Sequence, residues 1–146
     1  MIAIGLWAVQ QRGTARAATP LGFVAGAACG LLAGRVLGLG AIASAWLAAS
    51  TVAVGVAVAL ALRPGATLAP LAAFGLGFVH GHAHVADLAT SLAPGPFAAG
   101  FLLATASLHA LGFGIARMLP ARARDAAAAL GGGAIAAAGL VLLVAG

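Results

Sequence analysis

Three of the four histidines in this 146-residue chain fall in one short stretch, Val79–Asp87, together with one of its two acidic residues. On a helix that advances about 100° per residue, His84 lies about 40° from His80, and Asp87 returns to within about 20° of it. His82 points about 200° away from His80. The spacing therefore predicts one face with two imidazoles and a carboxylate, and a third imidazole on the other side.

Two histidines four residues apart on a helix suit the binding of a divalent metal ion. Both imidazoles can reach one ion, and a carboxylate one turn later can complete or neutralise the site. Imidazole binds nickel, cobalt, zinc and copper alike, so the pattern favours metal binding without choosing the metal. Ionisable groups within apolar segments are costly and usually functional, which favours this chemistry over a structural role for His80 and His84.

The fourth histidine, His109, occupies the middle of the next apolar segment, which a Pro-Gly-Pro turn at 94–96 brings back beside its predecessor. From the helical rise, His84 and His80 lie nearer the membrane surface and His109 nearer its centre. We therefore expect the three histidines to form successive steps into the membrane.

Each polar residue also has an ordinary structural interpretation. His109 could donate a hydrogen bond between helices, and Asp87 could be a solvated helix end. For His82, direct ligation and a supporting or interfacial role are equally favoured. Asp125, which precedes an apolar segment among arginines, is interpreted as an N-cap carboxylate.

The composition places these residues in a membrane. The chain is 64% hydrophobic and 6% charged, with a mean hydropathy of +1.17, whereas soluble domains are about half apolar and a quarter charged. A helix needs roughly 20 residues to cross a hydrocarbon core of about 30 Å. We predict an all-α membrane protein, a single transmembrane domain over residues 1–146, whose helical bundle has five full transmembrane helices: Leu21–Leu39, Ala41–Leu62, Leu68–Ala86, Phe97–Met118 and Ala126–Ala145.

The first segment, Met1–Val9, is apolar but too short to span alone. We expect the end of a longer helix or a short interfacial piece. It lacks the basic region and cleavage pattern of a signal peptide. Cys29 stands alone in an apolar run and is predicted to be a buried structural thiol.

Glycine recurs at every fourth position of the first full segment, at 22, 26, 30, 34 and 38. Small residues at this spacing let two membrane helices approach closely. We expect a surface for helix packing and not the lining of a substrate path, and we interpret the glycines at 131–133 in the same way.

Seven arginines and no lysine supply the cationic charge. Six fall in alternate connections and only Arg35 falls towards the opposite side. The positive-inside rule then places the six in the cytoplasm and the C-terminus outside, in a multi-pass membrane protein. Because the arginines are scattered between apolar segments, nucleic acid is not an expected partner. The six are Arg12, Arg16, Arg63, Arg117, Arg122 and Arg124.

The segment His80–Asp87 resembles the His-Gly-x-Ala-His-Gly-x-Glu signature of the HupE/UreJ membrane proteins. The opening Gly5–Ala8 resembles the segment after that family's first histidine motif. The resemblance implies a small multi-pass permease for nickel, or in some members cobalt, that supplies hydrogenase or urease maturation. The family's motif positions correspond here to His80, His84, Asp87 and His109. The family's next helix is matched in residue type and spacing by Gly100, Phe101, Ala104, Thr105, Leu108, His109 and Gly112.

This chain departs from the family pattern in three places. The first motif, His-Pro-x-x-Gly-x-Asp-His, has no counterpart, because Met1 falls just after its expected position, and we expect a start codon further upstream. Val85 replaces a glycine. Asp87 replaces a glutamate, whose side chain is one methylene longer.

Our leading hypothesis, which rests on this resemblance, is a permease-like protein of the bacterial inner (cell) membrane for Ni²⁺, or Co²⁺. His80, His84, Asp87 and His109 are its expected transient ligands, and His82 is a further candidate. The ion is cargo, no tightly bound cofactor is expected, and hydrogenase or urease maturation proteins are the candidate partners. The alternative is a metal-binding or accessory membrane protein that does not transport. A haem-binding electron carrier is disfavoured because no second redox site is recognisable. No enzyme is predicted, since the chain has no nucleophile with a base, paired carboxylates, phosphate loop or Cys-x-x-Cys pattern.

Overall fold

The computed structural model describes residues 1–37 and 43–145, and this part of the chain contains seven α-helices and no strand. The all-α prediction is confirmed. A helix suits these apolar segments because it pairs its backbone N–H and C=O groups internally, where lipid offers no partner. The helices are α1 (Ile2–Gln10), α2 (Ala15–Leu37), α3 (Ala43–Ala59), α4 (Leu68–Ala83), α5 (Val85–Thr90), α6 (Pro94–Met118) and α7 (Ala121–Ala145).

Three of the described helices are long and apolar enough to cross a membrane: Ala15–Val36, Pro94–Met118 and Ala121–Ala145. The α3 helix is shorter, with an apolar part at Ala45–Ala59, and α4 has 16 residues. Five full transmembrane helices are therefore not confirmed. Two predicted boundaries, Leu39 and Ala41, lie outside the described residues.

The predicted segment Leu68–Ala86 is divided in two at His84. This residue has φ −92° and ψ 9°, and α4 ends before it while α5 begins after it. Its N–H still donates to the carbonyl of Gly81 at 3.1 Å, and its carbonyl accepts from the N–H of Leu88 at 3.0 Å. The chain therefore turns at His84 while keeping its local backbone hydrogen bonds.

Glycine residues let the backbones of α2 and α4 pack directly against each other. A methyl group on Gly26 would meet the carbonyl oxygen of Phe74, and one on Gly77 would meet that of Phe23. Contacts this close leave no room for a side chain, so the two helices pack backbone to backbone. The predicted packing role is confirmed for the glycines at 22, 26, 30 and 34, and position 38 lies outside the described residues.

Two further helix pairs use the same device, α3 with α7 and α1 with α6. A methyl group on Gly132 would lie 2.7 Å from the carbonyl oxygen of Gly55, and one on Gly5 would lie 2.6 Å from the backbone nitrogen of Phe113. The two sequence neighbours of Gly132 face open space. Their predicted packing role is wrong, because a three-glycine run presents only one residue to any one side of a helix.

The arginine-bearing connections meet at one end of the bundle. Arg12, Arg16, Arg63 and Arg124 line one cavity of about 200 Å³. Arg35 lies in the last turn of α2, away from the end where that helix begins near this cavity. The expected grouping is confirmed for these residues, and its assignment to the cytoplasm stays a prediction.

Three smaller expectations are wrong. Cys29 is exposed on the outside of the bundle, because in a membrane protein an apolar face can turn towards lipid as well as towards the core. For α1, the interfacial alternative is wrong, since most of the helix is buried against α6, and the other alternative, the end of a longer helix, stays a prediction. Asp125 is not an N-cap, because α7 already begins at Ala121.

Candidate functional site

Three histidines and two phenylalanines form one group of rings, which we call the histidine cluster: His80, His84, His109, Phe23 and Phe101. The ring centroids of His80 and His84 are 5.1 Å apart. Phe101 lies over both, at 5.8 Å from His80 and 4.9 Å from His84. Phe23 lies 5.8 Å from His80 and 4.9 Å from His109. The sequence-predicted pair and its deeper partner thus belong to one contiguous cluster.

Helix packing through glycine positions the rings. The backbone of Phe23 on α2 lies against Gly77 on α4, so close that a methyl group there would meet its carbonyl. This contact sets the Phe23 ring beside His80, which follows Gly77 by one turn. His109 comes from α6, where α1 packs against its backbone through Gly5. The glycine contacts therefore place α2 against α4 in the cluster, and they hold α6, which carries His109, against α1.

His84 and Asp87 form the exposed end of the cluster. The Nδ1 atom of His84 lies 2.9 Å from an Oδ of Asp87, and the two side chains are 34% and 62% exposed. An Nδ1–H donating to this carboxylate fixes the tautomer and leaves Nε2 as the nitrogen that can bind a metal ion. The predicted shared face of His80, His84 and Asp87 is found, although the helix is broken within it.

His109 forms the buried end of the cluster. It is 3% exposed, and neither ring nitrogen has a hydrogen-bond partner within the described residues. A buried polar atom without a partner costs about 1–3 kcal/mol, so a polar occupant such as water or a cation would be stabilised beside this ring. The described structure gives His109 no helix-to-helix hydrogen bond.

His82 lies apart from the cluster, on the face of α4 that meets α2. A methyl group on Gly34 would lie 3.0 Å from Cδ2 and 3.3 Å from Nε2 of its ring. The Nε2 atom is buried and has no hydrogen-bond partner among the residues described. Of the two roles open for His82, the interfacial position is the one that the structure shows.

The side chains that could bind a metal ion lie one after another along the cluster and do not converge on a single metal position. In the part of the chain that the structure describes, no three His, Cys, Asp or Glu side chains converge closely enough to hold one metal ion. Instead, the exposed donors Asp87 and His84 lie at one end of the cluster and the buried His109 at the other, and His80 contacts His84 and has an intermediate exposure. The expected steps from the membrane surface inwards stay a prediction.

Sequence reasoning missed Phe23 and Phe101, which contact all three cluster histidines. It also missed a cavity of about 540 Å³ beside His80, whose lining includes the α3 hydroxyl residues Ser50 and Thr51. Spacing along one helix does not reveal which residues of other helices arrive beside it. Two signals were available: Phe23 lies next to the glycine strip, which marks the face of α2 that meets α4, and Phe101 is among the residues that match the family's next helix.

Comparison with known proteins agrees with the histidine motif. The chain matches the family model described as HupE / UreJ protein over residues 1–142. It is 34% identical to Protein HupE of Rhizobium leguminosarum bv. viciae over 148 residues, an alignment that covers 99% of this chain and 75% of that protein. No solved structure matches. The chain therefore belongs to the HupE/UreJ family of membrane proteins.

Proposed function

We propose that this protein is a permease-like protein of the inner membrane that moves Ni²⁺, or in second place Co²⁺, inward for the maturation of a hydrogenase or urease. The observation that carries the proposal is the graded histidine cluster, with exposed donors at one end and a buried histidine at the other. Family membership is the reason for choosing nickel, because imidazole alone suits several metals.

The exposed end of the histidine cluster captures the ion from solution. The carboxylate of Asp87 attracts a cation and holds His84 with Nε2 available as a donor. The ring of His80, 5.1 Å away by centroids, can take the ion next. Each metal–imidazole bond then replaces either a bond to water or a bond to the preceding histidine, so the ion is not stripped of all its ligands at once.

The buried end of the histidine cluster passes the ion on towards the cytoplasm. His109 offers two ring nitrogens that lack protein partners among the described residues, and Phe23 touches both this ring and that of His80. A shift of the Phe23 ring opens the way between the two histidines. The cavity of about 540 Å³ beside His80 provides room for water that can keep the ion partly hydrated while it passes from His80 to His109.

Orientation in the membrane follows from charge. We place the arginine-bearing end in the cytoplasm, as the positive-inside rule requires. The exposed pair of His84 and Asp87 then faces outward, as does the C-terminus. Imported ions meet the capture step first and His109 last.

Accumulation in sealed vesicles tests transport itself. Purified chain is reconstituted into liposomes and radioactive Ni²⁺ is added outside, with nickel binding measured on the same protein in detergent. The proposal expects binding in detergent together with nickel inside the vesicles that is released by an ionophore. Binding without accumulation would instead support the accessory, non-transporting function, and a Soret band in the purified protein would indicate haem.

A further inference from the structure

At the arginine-bearing end of the bundle, three cavities meet at one side chain, Arg63. The first, of about 200 Å³, is polar and is lined by four arginines together with Asp125. The second, of about 380 Å³, is shared by Arg12 and Arg63 with the turn before α2. The third is a groove of about 880 Å³ whose lining is mainly apolar and includes Arg63 at its end. A strongly cationic space and an apolar one therefore share the side chain of Arg63 in their walls.

The polar cavity is built to hold an anion. Four guanidinium groups around about 200 Å³ repel one another, and the single carboxylate in the lining, that of Asp125, cannot balance all of them. A phosphate group matches the fork of N–H donors on arginine, and its attraction to the guanidinium groups would offset the repulsion among them. The partly buried Gln10 and the buried Gln11 also line this cavity.

The turn that carries Arg63 is fixed in place. The carbonyl of Leu62 accepts hydrogen bonds from Trp7 Nε1 at 2.8 Å and from Gln11 Nε2 at 3.0 Å. The N–H of Leu62 donates to the carbonyl of Ala57 at 2.9 Å, and Ala61, directly before Leu62, has φ +47°. These features close α3 with a Schellman motif. Arg63 therefore projects from a defined position where the polar cavity and the groove meet.

The apolar groove has the dimensions of a lipid chain. It follows α3 from Trp46 to Ala57, about 16 Å of helix, which is about half of a hydrocarbon core of roughly 30 Å. Gly75 and Val79 of α4 line its opposite wall. Because Arg63 lines both the groove and the polar cavity, one amphipathic molecule can reach into the two together.

We propose that this composite pocket binds one anionic phospholipid, with its phosphate among the arginines and an acyl chain in the groove. The proposal goes beyond metal transport and does not depend on it. A free phosphate would satisfy the arginines alone, and a zwitterionic lipid would add a cationic group to a site that already holds four. An anionic phospholipid satisfies both parts of the pocket.

Tryptophan fluorescence provides the test, because both tryptophans of the chain, Trp7 and Trp46, line the groove. The full chain is placed in phosphatidylcholine vesicles that contain a small fraction of either phosphatidylglycerol or phosphatidylcholine with brominated acyl chains, which quench tryptophan on contact. We expect apparent binding of the brominated phosphatidylglycerol to be at least fivefold tighter. Equal quenching by the two lipids would overturn the proposal.

Two pairs of variants separate a built site from general attraction. Arg63→Gln should weaken phosphatidylglycerol binding about fivefold, the effect of one arginine near a charged lipid. Arg122→Gln removes the same charge from the same end but outside these cavities, and should change binding less than twofold. Equal losses in the two variants would show non-specific attraction and contradict the proposal.

The groove is tested in the same assay. A methyl group on Gly75 meets nothing within 4 Å, so Gly75→Leu can fill the groove without moving the backbone. Gly133→Leu is the matched control in equally open space on α7. We expect Gly75→Leu alone to abolish the preference for phosphatidylglycerol. If inorganic phosphate displaced the lipid while Gly75→Leu had no effect, the pocket would be a free-anion site and the lipid proposal would be wrong.

Discussion

Replacing Gly81 with alanine tests whether bare backbone holds α2 against α4 and thereby assembles the histidine cluster. The added methyl carbon would lie 2.7 Å from the carbonyl carbon of Ala27 and 2.9 Å from its Cα. Optimal contacts between carbon atoms are about 3.5–4.0 Å, so the helices must separate by roughly 1 Å. Overpacking of this kind costs about 1–3 kcal/mol. The separation also draws Phe23, one turn before Ala27, away from His80.

Gly75→Ala is the matched control on the same helix. A methyl group at Gly75 meets no atom within 4 Å, and alanine in a helix is about 0.5–1 kcal/mol more favourable than glycine. Titration with sodium dodecyl sulfate in mixed micelles, followed by tryptophan fluorescence, measures the free energy of unfolding. We expect a loss for Gly81→Ala, and no change or a gain for Gly75→Ala. Equal free energies for the two variants would refute the argument.

Three further predictions concern the site and the fold. Asp87→Ala should weaken nickel binding about 10–100-fold, because the imidazole of His84 loses the carboxylate that orients it. Asp125→Ala should leave nickel binding unchanged, and isothermal titration calorimetry with Ni²⁺ compares the two variants. His109→Ala should keep nickel binding at the exposed histidines but abolish accumulation in vesicles, and retained accumulation would remove its delivery role. Ala61→Gly should raise the free energy of unfolding by up to about 1 kcal/mol, since φ +47° strains alanine but not glycine; Ala99→Gly, in an exposed helical position, should lower it instead.

Local spacing predicted the parts of the site that depend on a single helix. The four-residue interval between His80 and His84 brought their rings to 5.1 Å, and the three-residue interval to Asp87 allowed a contact of 2.9 Å. These intervals hold across the break at His84 because the turn there keeps its backbone hydrogen bonds. The break itself was not predicted, since no proline or glycine occupies that position.

Contacts between helices were only partly predictable. The glycine strip of α2 correctly marked a packing face, but it did not identify α4 as the partner or place Phe23 between His80 and His109. In lipid, hydrophobicity does not distinguish a core residue from a membrane-facing one, because both surroundings are apolar. For this reason the burial of Cys29 was predicted wrongly, and the arginine cavity with its groove was not foreseen at all.

Uptake of radioactive nickel by cells that express the chain, or its His80→Ala, His84→Ala or His82→Ala variant, tests the central claim most directly. Each variant must be present in the membrane at the level of the original protein. The histidine pathway predicts that uptake falls to the background of cells without the protein for His80→Ala and His84→Ala, while His82→Ala, on the face towards α2, retains most of it. Uptake that is equal in all four strains, or that is lost only with His82→Ala, would contradict the pathway.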